Sequence, residues 1–278
     1  MTHAFTQLDV FTDTPLQGNP LAVVHAADDL VDAQMAAFAR WTNLSETTFL
    51  LRPTMPAADY RVRIFTPGGE LPFAGHPTLG SCHAWLAAGG VPQGNEVIQE
   101  CGVGLVQIRR EVEHGGLAFA APPLRRSGVV EPEVLAHIVS SLRIEASAVR
   151  ASQWVDNGPG WVAVMLASRD EVLALKPDFA EMRGLKLGVV APWAGGADAQ
   201  FEVRAFVPDL GVPEDPVTGS LNAGLAQWLM GIGLAPASYV ASQGTVLGRR
   251  GRVYLSRVGD DVWVGGDSVV CIDGTLRF

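Results

Sequence analysis

The sequence predicts an α+β protein made by tandem duplication of one domain, with mixed strands and one long helix in each half. The first observation is a repeat. Arg63-Ile-Phe-Thr-Pro-Gly-Gly-Glu-Leu-Pro-Phe-Ala-Gly-His-Pro-Thr-Leu-Gly-Ser81 is echoed half a chain later by Arg204-Ala-Phe-Val-Pro-Asp-Leu-Gly-Val-Pro-Glu-Asp-Pro-Val-Thr-Gly-Ser220. Arg63, Phe65 and Pro67 recur as Arg204, Phe206 and Pro208, while Pro77, Gly80 and Ser81 read as Pro216, Gly219 and Ser220. The second observation is local: in each copy an alternating run ends at a proline, which cannot continue a central ladder, and a Pro/Gly-rich turn then leads into an apolar segment of helical period. The third is compositional. A chain of 278 residues exceeds the usual single domain, and 48% hydrophobic against 18% charged residues describes a large core with no disorder signature. The expected domains are 1–120, to which 264–278 returns as a last strand, and 121–263.

Element by element, a strand is expected at Phe5 to Phe11, a turn through Gln17-Gly18-Asn19-Pro20, and a second strand at Leu21 to Val24. Val31, Met35 and Phe38 share one helical face, and that helix ends near Asn43. Thr47 to Leu51 returns to strand, which leaves Glu46 where helix gives way to strand. Tyr60 to Thr66 is the strand before the first repeat, Thr78 to Ala88 the helix after it, and Gly104 to Arg109 another strand. Leu117 to Ser127, with its double proline and arginine pair, reads as the linker. The second half offers a helix at Glu133 to Leu142, strands at Trp161 to Leu166 and Phe201 to Val207, a helix at Ser220 to Met230, and strands near Val253 to Leu255 and Val262 to Val264. Cys271 to Phe278 alternates like a strand and has no counterpart nearby, so it is assigned to the first half.

Several function classes are excluded or disfavoured. The net charge of −9, with no basic cluster larger than short pairs such as Arg125-Arg126 and Arg249-Arg250, argues against nucleic acid. No stretch of about 18 apolar residues and no leader-like N-terminus is present, so a cytoplasmic protein is expected, with no membrane partner. Three widely spaced cysteines, Cys82, Cys101 and Cys271, suit neither a disulfide framework nor zinc. His76 and His83 lack a third ligand, so no metal is expected. Dinucleotide, phosphate-loop and serine-hydrolase signatures are absent, and no cofactor is expected. Trp154, Trp161, Trp193 and Trp228 suit either an aromatic pocket or the core, with core the more common fate.

The repeat supplies the chemistry. At the position before the shared proline one copy carries His76 and the other Asp215, which reads as a titratable pair where duplication once placed identical residues. Helix starts rich in glycine and hydroxyls present unpaired N–H groups to an anion such as a carboxylate. Capping or turn roles are the alternative for His76 and Asp215, and a solvated loop end is the alternative for Glu46.

Taken together, Gln7-Leu-Asp-Val-Phe, Gly18-Asn-Pro-Leu-Ala-Val-Val, Leu44-Ser-Glu-Thr-Thr-Phe, Glu70-Leu-Pro-Phe-Ala-Gly-His-Pro-Thr-Leu-Gly, Glu214-Asp-Pro-Val-Thr-Gly-Ser and Gln243-Gly with Gly248-Arg249 resemble the signatures of the PhzF family of phenazine biosynthesis, in register from about residue 5 to the C-terminus. The resemblance implies a diaminopimelate epimerase-like fold, each half a curved mixed sheet around a central helix, an active site between the halves, and a homodimer. It also implies cofactor-free isomerisation of a small carboxylic acid such as trans-2,3-dihydro-3-hydroxyanthranilate, in which a proton leaves one carbon and returns elsewhere. The catalytic carboxylate then falls on Glu46 with His76 and Asp215 as polar partners, and Gly75, Gly219 and Ser220 fall in the substrate shell. Such chemistry needs a carboxylate made more basic by burial.

One departure matters. Epimerases of this fold use a cysteine from each half, whereas Gly75-His76 and Asp215 to Gly219 contain none, so two-thiol racemisation is not expected. Cys101, in Glu100-Cys-Gly-Val-Gly, precedes a strand and reads as structural; Cys82 reads as core. A non-catalytic metabolite binder on the same fold is the alternative to the isomerase. Retention of Glu46, His76 and Asp215 together favours the enzyme, because a binder needs no set of three titratable groups.

Overall fold

The structure is a computed structural model that describes residues 1–110, 116–195, 198–210 and 212–278. Gly211, inside the second repeat, lies outside the described residues. The chain divides into two compact units, Met1–Ala120 with Gly265–Phe278, and Ala121–Val264.

In the first unit the elements run β1 (Thr2–Val10), β2 (Asn19–Val24), α1 (Asp32–Thr42), β3 (Thr47–Leu51), β4 (Tyr60–Thr66), β5 (Gly69–Leu71), α2 (Gly75–Ala87), β6 (Val97–Cys101), β7 (Gly104–Arg110) and β8 (Leu117–Ala120). The second unit runs β9 (Arg126–Gly128), α3 (Pro132–Leu142), β10 (Ala151–Asp156), β11 (Trp161–Met165), α4 (Arg169–Ala174), β12 (Lys186–Pro192), β13 (Phe201–Phe206), β14 (Glu214–Asp215), α5 (Gly219–Gly231), β15 (Ser238–Gln243), β16 (Gly251–Val258) and β17 (Asp261–Gly266). The last strand, β18 (Ser268–Arg277), pairs antiparallel with β1 from Thr2↔Arg277 to Val10↔Ser268.

The duplication shows in the ladders. In the first unit β1–β2, β3–β4, β4–β5 and β6–β7 are antiparallel, whereas β2–β3 and β4–β6 are parallel. In the second, β10–β11, β12–β13, β13–β14 and β15–β16 are antiparallel, and β11–β12 and β13–β15 parallel. A parallel pair needs a crossover. α1 and α2 supply the crossovers in one unit, α4 and α5 in the other.

Each repeat helix is central. α2 touches β1, β2, β3, β4, β6, β8 and β18, and Gly75 to Cys82 are all buried. A helix apolar on every side belongs inside a fold, and small residues let it approach closely. A Cβ on Gly80 would sit 2.6 Å from Leu21 and 2.8 Å from Val10; on Gly224 of α5 it would sit 2.3 Å from the Val155 carbonyl oxygen. The first unit has an apolar cluster of Val24, Leu30, Met35, Phe38, Phe49 and Phe65 beneath α1, and the second one of Ile138, Leu142, Val164, Leu187, Val189 and Phe206 beneath α3 and α4.

Register corrects one reading of the repeat. Phe65 pairs with Glu70 and Ile64 with Leu71; in the other unit Phe206 pairs with Glu214 and Ala205 with Asp215. The matching stretches are therefore Glu70-x-Pro-x-x-Gly75-x-x-x-x-Gly80 and Glu214-x-Pro-x-x-Gly219-x-x-x-x-Gly224, both helices opening at the same glycine. His76 corresponds to Ser220, and Asp215 to Leu71. They are not two descendants of one position. Pairing Pro77 with Pro216 fails because the second turn is three residues longer than the first, between Phe206 and Glu214, not shorter by two further on.

The repeat arginines explain their own retention. Arg63 donates twice to Glu70, at 2.7 Å each, and once to Asp32 at the start of α1. Arg204 donates twice to Glu214, at 2.9 and 2.7 Å, and caps α4 through the Val172 and Leu175 carbonyls. Each guanidinium also lies over the phenylalanine two residues on, at 5.1 and 4.8 Å.

Smaller corrections have simple causes. α2 begins at Gly75, not Thr78, because Pro77 falls in the first turn, where a missing N–H costs nothing. Leu117 to Ser127 is only in part a linker: Leu117, Ala118 and Phe119 are buried against β7 in strand β8, and Arg126 opens β9. Strands β6, β10, β12 and β15 and the short α4 were not expected.

Candidate active site

Glu46 sits at the end of the turn between α1 and β3, and His76 is the second residue of α2. Both belong to the first unit. Because β3 and α2 pack against each other, His76 Nε2 comes to 3.5 Å from Glu46 Oε2. The imidazole is buried, and its Nε2 has no hydrogen-bond partner among the described residues. Burial pushes the His76 pKa down to about 3. The contact is thus not an ion pair near neutral pH: it sets a neutral imidazole against a carboxyl group whose side chain is 16% exposed.

Such a histidine makes stability depend on pH. Unfolded, the ring takes up a proton near 6.5; folded, only near 3. The unfolded state therefore binds more protons throughout that interval, and the contribution of His76 is complete above about 6.5 and lost as pH falls toward 3. His25 and His83, also lowered by burial, act in the same sense. Urea melts of the wild type and His76→Gln between pH 7 and 4 are expected to show a shallower acid slope in the variant. Parallel slopes would contradict the neutral-imidazole assignment.

Gly75 opens α2 after Ala74, with no side-chain cap and no acidic residue in the first turn. The first intrahelical bond is Thr78 N–H to the Ala74 carbonyl, so the N–H groups of Gly75 and His76 have no helical acceptor. Gly219 and Ser220 stand the same way at the start of α5, where the first bond is Asn222 N–H to Thr218. Either end can receive an anion.

Asp215, Gly219 and Ser220 gather in the second unit. Thr218 Oγ1 donates to Asp215 Oδ2 at 2.5 Å. The Trp161 indole donates to Ser220 Oγ at 2.9 Å, which occupies a lone pair and leaves the hydroxyl hydrogen for a ligand. Asn157 Nδ2 holds the Ser220 carbonyl at 2.8 Å. The structure thus brings Glu46, Gly75 and His76 together in one unit, and Asp215, Gly219 and Ser220 in the other. Trp161 touches this site as well as the core, whereas Trp228 is core. Asn157 has no mark in the sequence; Thr218 and Gln243 lie in the family motifs but without an assigned role, although Gln99 and Gln243 keep the same spacing from Gly75 and Gly219 and so mark an equivalent position.

The cysteines play no part in either cluster. Cys82 is buried, its thiol pushed up to about 12, and Cys101 closes β6 with its thiol raised by burial. Such thiols are poor nucleophiles. Among the described residues no group of three or more His, Cys, Asp or Glu is arranged for a metal, and no helix is long and apolar enough to cross a membrane.

The sequence model of the PhzC-PhzF family, described as phenazine biosynthesis-like protein, matches residues 8–274. The chain belongs to the PhzF family. It is 37% identical to antisense-enhancing sequence 1 of Schizosaccharomyces pombe over 98% of both chains. It is 36% identical to the trans-2,3-dihydro-3-hydroxyanthranilate isomerase of Pseudomonas fluorescens, over 81% of this chain and 78% of that protein. A crystal structure of a PhzF-family protein from Enterococcus faecalis covers 100% of both chains with a TM-score of 0.82 at 24% identity, which shows the same α+β fold. With relatives named as isomerases at 33–36% identity, this PhzF protein is an isomerase.

Proposed function

We propose that the protein moves a proton, without a cofactor, on a small unsaturated or cyclic carboxylic acid of the trans-2,3-dihydro-3-hydroxyanthranilate type. The observation that carries this reading is the Glu46 carboxyl group facing a buried, neutral His76 at an uncapped helix start. A carboxylate can take a proton from carbon and return it to another carbon of a conjugated system; the neutral imidazole can give or accept a hydrogen bond as charge develops. The N–H groups of Gly75, and of Gly219 with the Ser220 hydroxyl, suit a substrate carboxylate. Asp215 is assigned a second polar contact to the substrate. The name of the Pseudomonas fluorescens relative supplies the first compound to try, and the absence of cysteine from both helix starts supports carboxylate over thiol chemistry.

Incubation of the protein with trans-2,3-dihydro-3-hydroxyanthranilate, followed by ultraviolet absorbance, is expected to show first-order loss of the substrate. Saturable binding of that compound with no turnover would instead favour a metabolite-binding role. Neither binding nor turnover would remove this substrate from the proposal.

A further inference from the structure

We propose that Gln243 is a positioning residue that fixes the Asp215 carboxylate through the Thr218 hydroxyl. The inference rests on the role assigned to Asp215 above and adds what holds it in place.

Gln243 ends β15, and its side chain is fully enclosed within the second unit. Its Oε1 receives the Thr218 N–H at 3.0 Å and Asn222 Nδ2 at 2.8 Å; its Nε2 donates to the Asp215 carbonyl at 3.0 Å and to Thr218 Oγ1 at 3.0 Å. These partners leave the amide no choice of orientation, because a backbone N–H can only donate and a backbone carbonyl can only accept. The consequence passes to Thr218. Its hydroxyl, already accepting from Nε2, has its single hydrogen left to give, and Asp215 Oδ2 lies 2.5 Å away. One buried amide thereby satisfies the start of α5, the loop before it and the direction of a hydroxyl that donates to the carboxylate.

Backbone geometry is built for the contact. Gly244, at φ +93, brings the end of β15 so close to the loop that a Cβ there would lie 2.8 Å from the Pro216 carbonyl oxygen. Gly251 on the next strand leaves no room either, since its Cβ would meet Val217 at 2.4 Å.

The first unit shows what the arrangement is without this task. Gln99 occupies the corresponding place at the start of the corresponding helix. There Nε2 donates to Thr78 Oγ1 at 3.0 Å and Oε1 accepts from the Tyr60 hydroxyl at 2.8 Å. That latch ties helix to sheet and stops there, and the position equivalent to Asp215 is Leu71. Only the second copy extends the latch to an acidic side chain.

Thr218→Val removes the hydroxyl with little change of shape, Thr218→Ser keeps it, and Gln243→Met removes the amide. Crystal structures of the three variants and turnover of trans-2,3-dihydro-3-hydroxyanthranilate form the test. The expected result is an Asp215 side chain displaced in Thr218→Val and Gln243→Met and unmoved in Thr218→Ser. With it, kcat falls about tenfold at nearly constant KM in the first two variants, the loss of one well-placed hydrogen bond, and returns in the third. Should Gln243→Met fail to fold, the two Thr218 variants carry the test. An Asp215 that keeps its conformation in Thr218→Val overturns the inference. Displacement of Asp215 with turnover intact supports it, and contradicts instead the role assigned to Asp215.

Discussion

Glu46→Gln is expected to lower turnover of the substrate by roughly 10²–10⁴ while leaving its affinity almost unchanged. The amide keeps the shape and volume of the carboxyl group beside His76, so ground-state contacts survive. Basicity does not. A proton leaves carbon quickly only when a base is placed against it, and no other carboxylate lies beside His76 Nε2 in the first unit among the described residues. Steady-state kinetics read kcat, and calorimetric titration with the substrate reads affinity. A variant with full turnover would remove Glu46 from the mechanism; one that no longer binds would make it a binding residue.

The second large effect concerns stability. The Arg204–Glu214 pair is enclosed, with side chains 4% and 6% exposed, whereas Glu70 of the equivalent Arg63 pair is 42% exposed. Breaking a buried pair strands the remaining charge, and Glu214→Gln is expected to cost about 3–5 kcal/mol. Glu70→Gln, in contact with water, should cost less than about 1 kcal/mol. Urea denaturation midpoints of the two variants compare the same interaction in two surroundings. Equal losses would mean that burial does not govern the pair.

Much of the fold could be read from the repeat. Arg-x-Phe-x-Pro announces a strand that must stop, and its glycine-rich sequel announces a helix that lies close to its surroundings; both occur twice, and both units have that core. What the letters hid was alignment. Proline, glycine and serine recur in both loops for reasons of turn and helix-start chemistry, so Pro77-Thr-Leu-Gly-Ser could be laid on Pro216-Val-Thr-Gly-Ser although the helices begin elsewhere. Backbone pairing resolves it, since Glu70 and Glu214 each sit opposite the phenylalanine of the strand before. Strands β6 and β15 lack a clear apolar alternation because Val97–Cys101 and Ser238–Gln243 carry polar residues with partners elsewhere: Glu100 at the Thr54–Met55 turn, and Gln99 and Gln243 at helix starts. Gln99 and Gln243 are polar because they bind there.

The site was legible to the same extent. Glu46 has no local pattern that separates it from a solvated loop glutamate; only family motifs picked it out, and the structure adds the histidine beside it. His76 carries more local signal, because it stands inside the repeat, just before the helix that the sequence expects at Thr78, although only the structure makes it the second residue of a buried helix. Trp161 could be read only as pocket or core, since its partner Ser220 is 59 positions away, and Thr218 stood in a motif whose letters do not show that its hydroxyl donates to Asp215.

Proton transfer by Glu46 is most directly tested by nuclear magnetic resonance of the reaction in deuterium oxide. The Glu46 side chain is 16% exposed, so solvent reaches part of its carboxyl group. The account predicts product carrying deuterium at the carbon that receives the proton for the wild type, and neither product nor exchange at carbon for Glu46→Gln on the same timescale. Exchange at carbon in Glu46→Gln as fast as in the wild type would contradict it.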